Sequence, residues 1–137
     1  MFGCSGKRPG NLGLTGGALR PCPNSPNCVS SELGTAADKL VPPFPAPGGR
    51  SDLARLAEVV RAWPRTEVIT TSSEYFHAES TSLLLRFVDD VEFRFDSVAQ
   101  VIHVRSASRL GESDLGVNRK RVDGMRERWA ASVGGAK

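Results

Sequence analysis

The side chains that could do chemistry gather between His77 and Arg119: His77, Asp90, Glu92, His103, Arg105, Ser108, Arg109, Asp114, Asn118 and Arg119. A histidine beside a carboxylate can act as general acid or base near neutral pH. Asp90 and Glu92 stand two positions apart, which on a strand places them on one side and about 6.6 Å apart. Such a pair could divide acid and base roles or bind a divalent cation. Arg105 could hold an anionic group in bidentate fashion. Against these stands a plainer reading, favoured for each residue singly: Glu92 and Arg105 form a cross-strand ion pair contributing about 0.2 to 1 kcal/mol, and both histidines are solvated.

The stretch RSASRLGESDLGVNRKR carries a different signal. Gly111, Gly116 and Asn118 suit the first turn of a helix poorly unless the backbone there needs unusual dihedrals or close approach. Ser113 or Asp114 can cap the helix, and an N-terminus flanked by Ser106, Ser108, Arg109, Asn118 and Arg119 is a ready anion site. The structural alternative weighs more, because this loop must also join the last strand to the last helix.

These residues need a scaffold, and parity supplies one. In VEFRF, Val91, Phe93 and Phe95 alternate with Glu92 and Arg94; in VIHVRS, Ile102 and Val104 alternate with His103 and Arg105. That is the period of strands with one apolar face. With a turn over Ser97 to Gln100, Phe95 meets Ile102, Phe93 meets Val104, Glu92 meets Arg105 and Arg94 meets His103. A slip of one residue would set every apolar side chain against a polar one, whereas a slip of two preserves the faces, so parity fixes the two faces more firmly than the exact register. His77 shares its parity with Glu79 and joins the same polar surface.

A helix starts at Ser51, read as the N-cap, with Leu53, Leu56, Ala57, Val60 and Trp63 on one stripe and Pro64 as its stop. Strands follow at about Glu67 to Thr71 and Tyr75 to Ser80, then the hairpin from Val88 to Ser108. A last helix from about Leu115 to Ser132 puts Val122, Met125 and Trp129 on one face. The fold expected is α+β: an antiparallel sheet of about four strands with both helices on the face of Phe76, Phe93 and Ile102, and an irregular arm. Residues 1 to 50, rich in Pro and Gly, form that arm, docked through contacts such as Leu19, Val29, Val41 and Phe44. Residues 51 to 133 form the core of a single domain.

Composition narrows the function classes. The chain has 137 residues, 39% hydrophobic and 24% charged, which suits one globular domain. No apolar run nears the roughly 20 residues of a membrane helix. The net charge of +3 is spread unevenly, and the dense basic cluster Arg119-Lys120-Arg121 falls near a helix start, which argues against a nucleic-acid groove. The first ten residues lack the apolar segment of a signal peptide, and Cys4 has no convincing lipobox. The compartment expected is therefore the cytoplasm, with export the alternative if the start is misassigned. Cys22 and Cys28 have five residues between them in CPNSPNC, too wide for a redox CxxC or zinc knuckle. A disulfide there would contribute about 2.5 kcal/mol in an oxidising compartment; reduced thiols and metal or redox chemistry are the alternatives.

Taken together, SGKRPGNLGLTGGALRPCPNSPNCVSS, FVDDVEF and IHVRSASRLGESDLGVNRKRV resemble the domain-of-unknown-function family DUF1499 over nearly the whole chain. The resemblance assigns no catalytic role. Some relatives carry export or targeting signals, which implies a bridged Cys22 and Cys28. The turn from Asp96 to Gln100 departs from the family in lacking Pro and Gly. The leading expectation is a non-catalytic domain, without cofactor or metal, that binds a small anionic ligand or a protein partner. Its site would be the charged sheet face and adjoining loop, with Arg105, Arg109 and Arg119 for the anion, Asp90, Glu92 and His77 completing the contacts, and Ser108, Asp114 and Asn118 at the edge. The rivals are a hydrolase-like or cation-dependent enzyme using Asp90, Glu92 and a histidine, and a structural module of an envelope or membrane-associated assembly.

Overall fold

The structure, a computed structural model, describes residues 6–83, 86–110 and 114–135. Cys4, Gly111 and Ser113 lie outside the described residues. The elements run β1 (Leu14–Thr15), β2 (Ala18–Leu19), β3 (Cys28–Ser30), β4 (Phe44–Pro45), α1 (Ser51–Arg61), β5 (Thr66–Thr71), β6 (Tyr75–Thr81), β7 (Val88–Asp96), β8 (Val101–Ser108) and α2 (Val117–Gly135). β1 and β2 make a small ribbon, and the main sheet is six-stranded in the order β3-β8-β7-β6-β5, with β4 also pairing β8. All these pairings are antiparallel.

The class is α+β as expected, but the sheet has six strands rather than about four. The additional strands, β3 and β4, come from the segment read as irregular. They are three and two residues long, too short for alternation to show. The hairpin takes the register expected with the turn over Ser97 to Gln100: Phe95 pairs with Ile102, Phe93 with Val104, Arg94 with His103 and Glu92 with Arg105. Its turn does without Pro or Gly because the Asp96 carboxylate accepts the Val98 and Ala99 amides at 3.0 and 3.1 Å. Gln100 then takes the left-handed position at φ +55°.

Both helices lie on the apolar face. Leu53, Leu56, Ala57 and Val60 of α1 and Val122, Met125 and Trp129 of α2 close over Phe76, Val91, Phe93, Ile102 and Val104. Phe76 stacks on Phe93 at 4.4 Å and Phe44 meets Phe93 edge-on at 5.6 Å, geometries that aromatic quadrupoles favour. Buried Trp129 donates Nε1–H to the Pro45 carbonyl at 2.7 Å. The helix start needs one correction: Ser51 is the first helical residue and Arg50 occupies the N-cap position. The Ser51 hydroxyl donates back to the Gly48 carbonyl, and Asp52, one residue on, accepts the Gly48 amide at 2.7 Å.

The opposite, ionic face is not a solvent face. Glu92 is 0% and Arg105 2% exposed, and His77, Asp90 and His103 are buried. The N-terminal arm crosses it: Gly13 donates its amide to Glu92 at 2.8 Å, Arg8 pairs with Glu79, and the Pro21 carbonyl accepts from Arg105 at 3.4 Å. A disulfide joins Cys22 on the arm to Cys28 in β3. The sheet is therefore covered twice, by helices over its apolar side and by the arm over its charged side, and the reading of solvated histidines beside exposed ion pairs is overturned.

Candidate functional site

On the covered ionic face, β6, β7 and β8 set Tyr75 beside Arg94, His77 beside Glu92 and Glu79 beside Asp90, with Arg105 across from Glu92. Asp90 is fully engaged. Arg109 donates to both its oxygens at 2.8 and 2.9 Å, and His77 Nε2 stands 2.7 Å from Oδ1. Burial alone would raise the Asp90 pKa, but these bonds to Arg109 and His77 outweigh it and hold the group below its ordinary range. A carboxylate so held accepts only, so His77 Nε2 carries the proton. Glu79 is likewise lowered, burial being overcome by Arg8 and Arg109. His77, Glu79 and Asp90 offer ligand atoms within 4.8 Å of one another, the one such metal-competent group among the described residues. Arg109 already bonds both of its carboxylates and fills the role of the cation.

Glu92 accepts the Tyr75 hydroxyl at 2.5 Å and the Gly13 amide on the same oxygen, Oε2. Burial and the Glu92 charge raise the Tyr75 pKa, so this hydroxyl is a donor and not a base. The other oxygen, Oε1, has no hydrogen-bond partner, and Arg105 Nη1 stands 3.9 Å away. Arg105 is the anomaly of the face. Its Nε and Nη1 are buried without a hydrogen bond, as is Nε of Arg20. Desolvation, followed by repulsion from Arg20, depresses the Arg105 pKa to about 10. By contrast, Arg94 grips Glu32 with two nitrogens, and Arg121 pairs with Asp89 at 2.8 Å. A cavity of about 300 Å³ is lined by Arg20, Arg105, Arg109, Ser25, Asn27 and Ser108, among others. The larger cleft beside it, about 740 Å³, shares Arg20, but its other charges are paired: Glu32 with Arg94 and Lys39 with Asp38.

The loop before α2 has another role. Leu115 and Gly116 are both left-handed, at φ +56° and +77°, and this delays the helix to Val117. Asp114 accepts the Gly116 and Asn118 amides at 2.9 and 3.1 Å, so an internal carboxylate takes the place that an outside anion would have at the helix N-terminus. The Asn118 side chain, fully buried, accepts from Ser106 and Arg121 and donates to Ser108, Asp114 and the Asn27 carbonyl. This knot ties α2 to the core side of β8.

The family model described as "Protein of unknown function (DUF1499)" matches residues 18–128. The chain belongs to the DUF1499 family. No curated protein and no solved structure matches it.

The DUF1499 fold divides the residues singled out in sequence into four places. His77, Asp90, Glu92, Arg105 and Arg109 converge under the arm. Ser108, Asp114 and Asn118 belong to the knot, with Ser108 also reaching the cavity wall. Arg119 reaches neither and instead donates to the Asp38 and Leu40 carbonyls. His103 bridges Ser31 and Asp96 near the turn end of the hairpin. Arg20 and Tyr75 were missed. Arg20 left one clue, being the only charged residue between Arg8 and Glu32.

Proposed function

We propose that this DUF1499 domain binds a small oxyanion, a phosphate, sulfate or carboxylate, in the cavity between the arm and β8, held by Arg20 and Arg105. The observation that carries this reading is the Arg105 guanidinium, buried with two nitrogens that make no hydrogen bond and only a 3.9 Å ion pair to Glu92. A buried charge without a full partner opposes folding by several kcal/mol, and an anion would supply the missing acceptor. The carboxylates support binding over catalysis, since both oxygens of Asp90 and Oε2 of Glu92 already have donors. Arg109 lines the cavity while anchored to Asp90 and Glu79, and so sets its shape.

The test is calorimetric titration of the disulfide-bonded chain with inorganic phosphate, sulfate and acetate, alongside Arg105→Gln. Saturable binding is expected in the parent and none in the variant, which loses about 3 to 5 kcal/mol of stability because Glu92 is left buried without its cation; circular dichroism confirms that it is folded, and Arg20→Gln takes its place if it is not. Failure of all three anions to bind the parent defeats the reading. Among the described residues, no helix is long and apolar enough to cross a membrane. The Cys22–Cys28 disulfide favours an oxidising compartment over the cytoplasm, which thiol counting on protein from its native cells decides.

A further inference from the structure

The same cavity has a covalent latch, and this inference rests on the anion reading. Beyond the main chain itself, the disulfide is the one covalent crosslink between the arm and the sheet among the described residues: Cys22 follows Arg20 by two positions, and Cys28 pairs with Ala107 of β8. The residues between the cysteines supply Pro23, Ser25 and Asn27 to the cavity wall, and Arg20, just before them, supplies one of its cations. Without the crosslink, the stretch beside Arg105 keeps the 3.4 Å contact to the Pro21 carbonyl, with the Leu19 and Gly13 amides holding the arm further along. Meanwhile the charges of Arg20 and Arg105 repel each other. Cys22 is half-buried and Cys28 buried at 1% exposure, so the Cys22 sulfur is the one a reductant reaches first.

We propose that anion binding and the Cys22–Cys28 disulfide are thermodynamically coupled: the oxidised chain holds Arg20 and the cavity wall in place for the anion, and the reduced chain releases them. The switching step is ordinary exchange with a dithiol. Its thiolate attacks Cys22 Sγ, the Cys22–Cys28 bond breaks, and a mixed disulfide forms with Cys28 leaving as thiolate. The second thiol of the reductant then displaces Cys22, so that two electrons and two protons pass to the two cysteines and the dithiol ends as its own disulfide. Coupling is reciprocal. Whatever factor oxidation adds to phosphate affinity, saturating phosphate adds to the equilibrium constant for keeping the disulfide.

Two measurements test this with inorganic phosphate as the probe. In the first, the full chain is titrated oxidised and after reduction by excess dithiothreitol, with circular dichroism confirming the fold. In the second, needing no reduced protein in isolation, the oxidised chain is equilibrated across dithiothreitol redox ratios with and without saturating phosphate, with Arg105→Gln as the control for salt. The expected result is at least threefold weaker phosphate binding after reduction, a matching shift of the redox midpoint toward harder reduction, and no shift in Arg105→Gln. Phosphate binding by the oxidised chain with no midpoint shift overturns the coupling and leaves the anion site standing. Absence of phosphate, sulfate and acetate binding by the oxidised chain overturns both.

Discussion

Replacing Asn118 separates a structural knot from a ligand site. In Asn118→Ala the first loss is the Ser106 hydroxyl, whose acceptor at 2.6 Å is Asn118 Oδ1. Ser106 is 0% exposed, so its hydroxyl is left unsatisfied at about 1 to 3 kcal/mol. Arg121 loses its 3.0 Å bond to Oδ1 but keeps Asp89, and the Asn27 carbonyl keeps the Ser108 amide. Asp114 keeps the Asn118 amide, which any residue there supplies. With one group orphaned and two charge-assisted bonds lost, from Arg121 and to Asp114, the destabilisation comes to about 3 to 5 kcal/mol. The assay is equilibrium urea denaturation followed by tryptophan fluorescence, with phosphate titration of the folded variant beside it.

The near-isosteric Asn118→Asp sharpens the test. Nδ2 stands 2.7 Å from Asp114 Oδ2, so an aspartate would set two carboxylates in contact, and like charges that close cannot both ionise in a buried site. Its loss should therefore exceed that of Asn118→Ala at pH 7 and shrink as the pH falls toward 5. If Asn118→Ala unfolds at the parent's urea midpoint, or if its one effect is on phosphate affinity, the structural account of this loop is wrong.

Other expectations follow from the same contacts. Gly116→Ala meets no atom within 4 Å but must adopt φ +77°, so a stability loss of about 1 to 2 kcal/mol with an unchanged fold is expected in thermal denaturation. Tyr75→Phe removes the hydroxyl held by Glu92 and should lower stability by about 1 kcal/mol in the urea assay. For pH, Asp90, Glu79 and Glu32 lie below their ordinary values, Glu32 because Arg94 and the Leu19 amide outweigh its burial. The stability they give is complete above their unfolded values, about pH 4, and is lost as pH falls through the lower folded values. Burial raises the Asp89 pKa instead, against the pull of Arg121, so its share runs the other way. Denaturation midpoints should fall between pH 5 and 2, less steeply in Asp90→Asn, and at pH 7 Asp90→Asn should lose more stability than Asp89→Asn.

Alternation made the hairpin legible. Val91, Phe93 and Phe95 against Glu92 and Arg94 keep faces together with Ile102 to Arg105 in registers two residues apart, and β7 and β8 adopt the one that a turn over Ser97 to Gln100 sets. The stripes of α1 and α2 were legible for the same reason. The Ser51 cap was not, because the Ser51 hydroxyl donates back to the Gly48 carbonyl while Asp52 takes the Gly48 amide, and the chain is already helical at Ser51. Strands of two or three residues carry no period, and what decides that Cys28–Ser30 and Phe44–Pro45 join the sheet is the free edge of β8. The site was half legible: parity put His77, Asp90, Glu92 and Arg105 on one face but said nothing of what would lie over it. Arg20 comes near Arg105 from far away in the sequence, a proximity that no local pattern encodes.

The cover decides what the charges mean. On an open face, Glu92 and Arg105 would be screened and contribute little; beneath the arm each ion needs a partner in place. The arm supplies backbone for the purpose: the Gly13 and Leu19 amides go to Glu92 and Glu32, and the Pro21 carbonyl faces Arg105. Small and cyclic residues let that backbone come close. The matching is complete for Asp90, held by Arg109 and His77, and for Glu32, held by Arg94 and Leu19. It is partial at Arg105, where a long contact to one carbonyl and a 3.9 Å ion pair with Glu92 leave Nε and Nη1 without a hydrogen bond. Removing this guanidinium would leave the buried Glu92 without its cation, a loss of about 3 to 5 kcal/mol, so the charge serves the fold through Glu92 while the two nitrogens stay open to the acceptor that the proposed anion would supply.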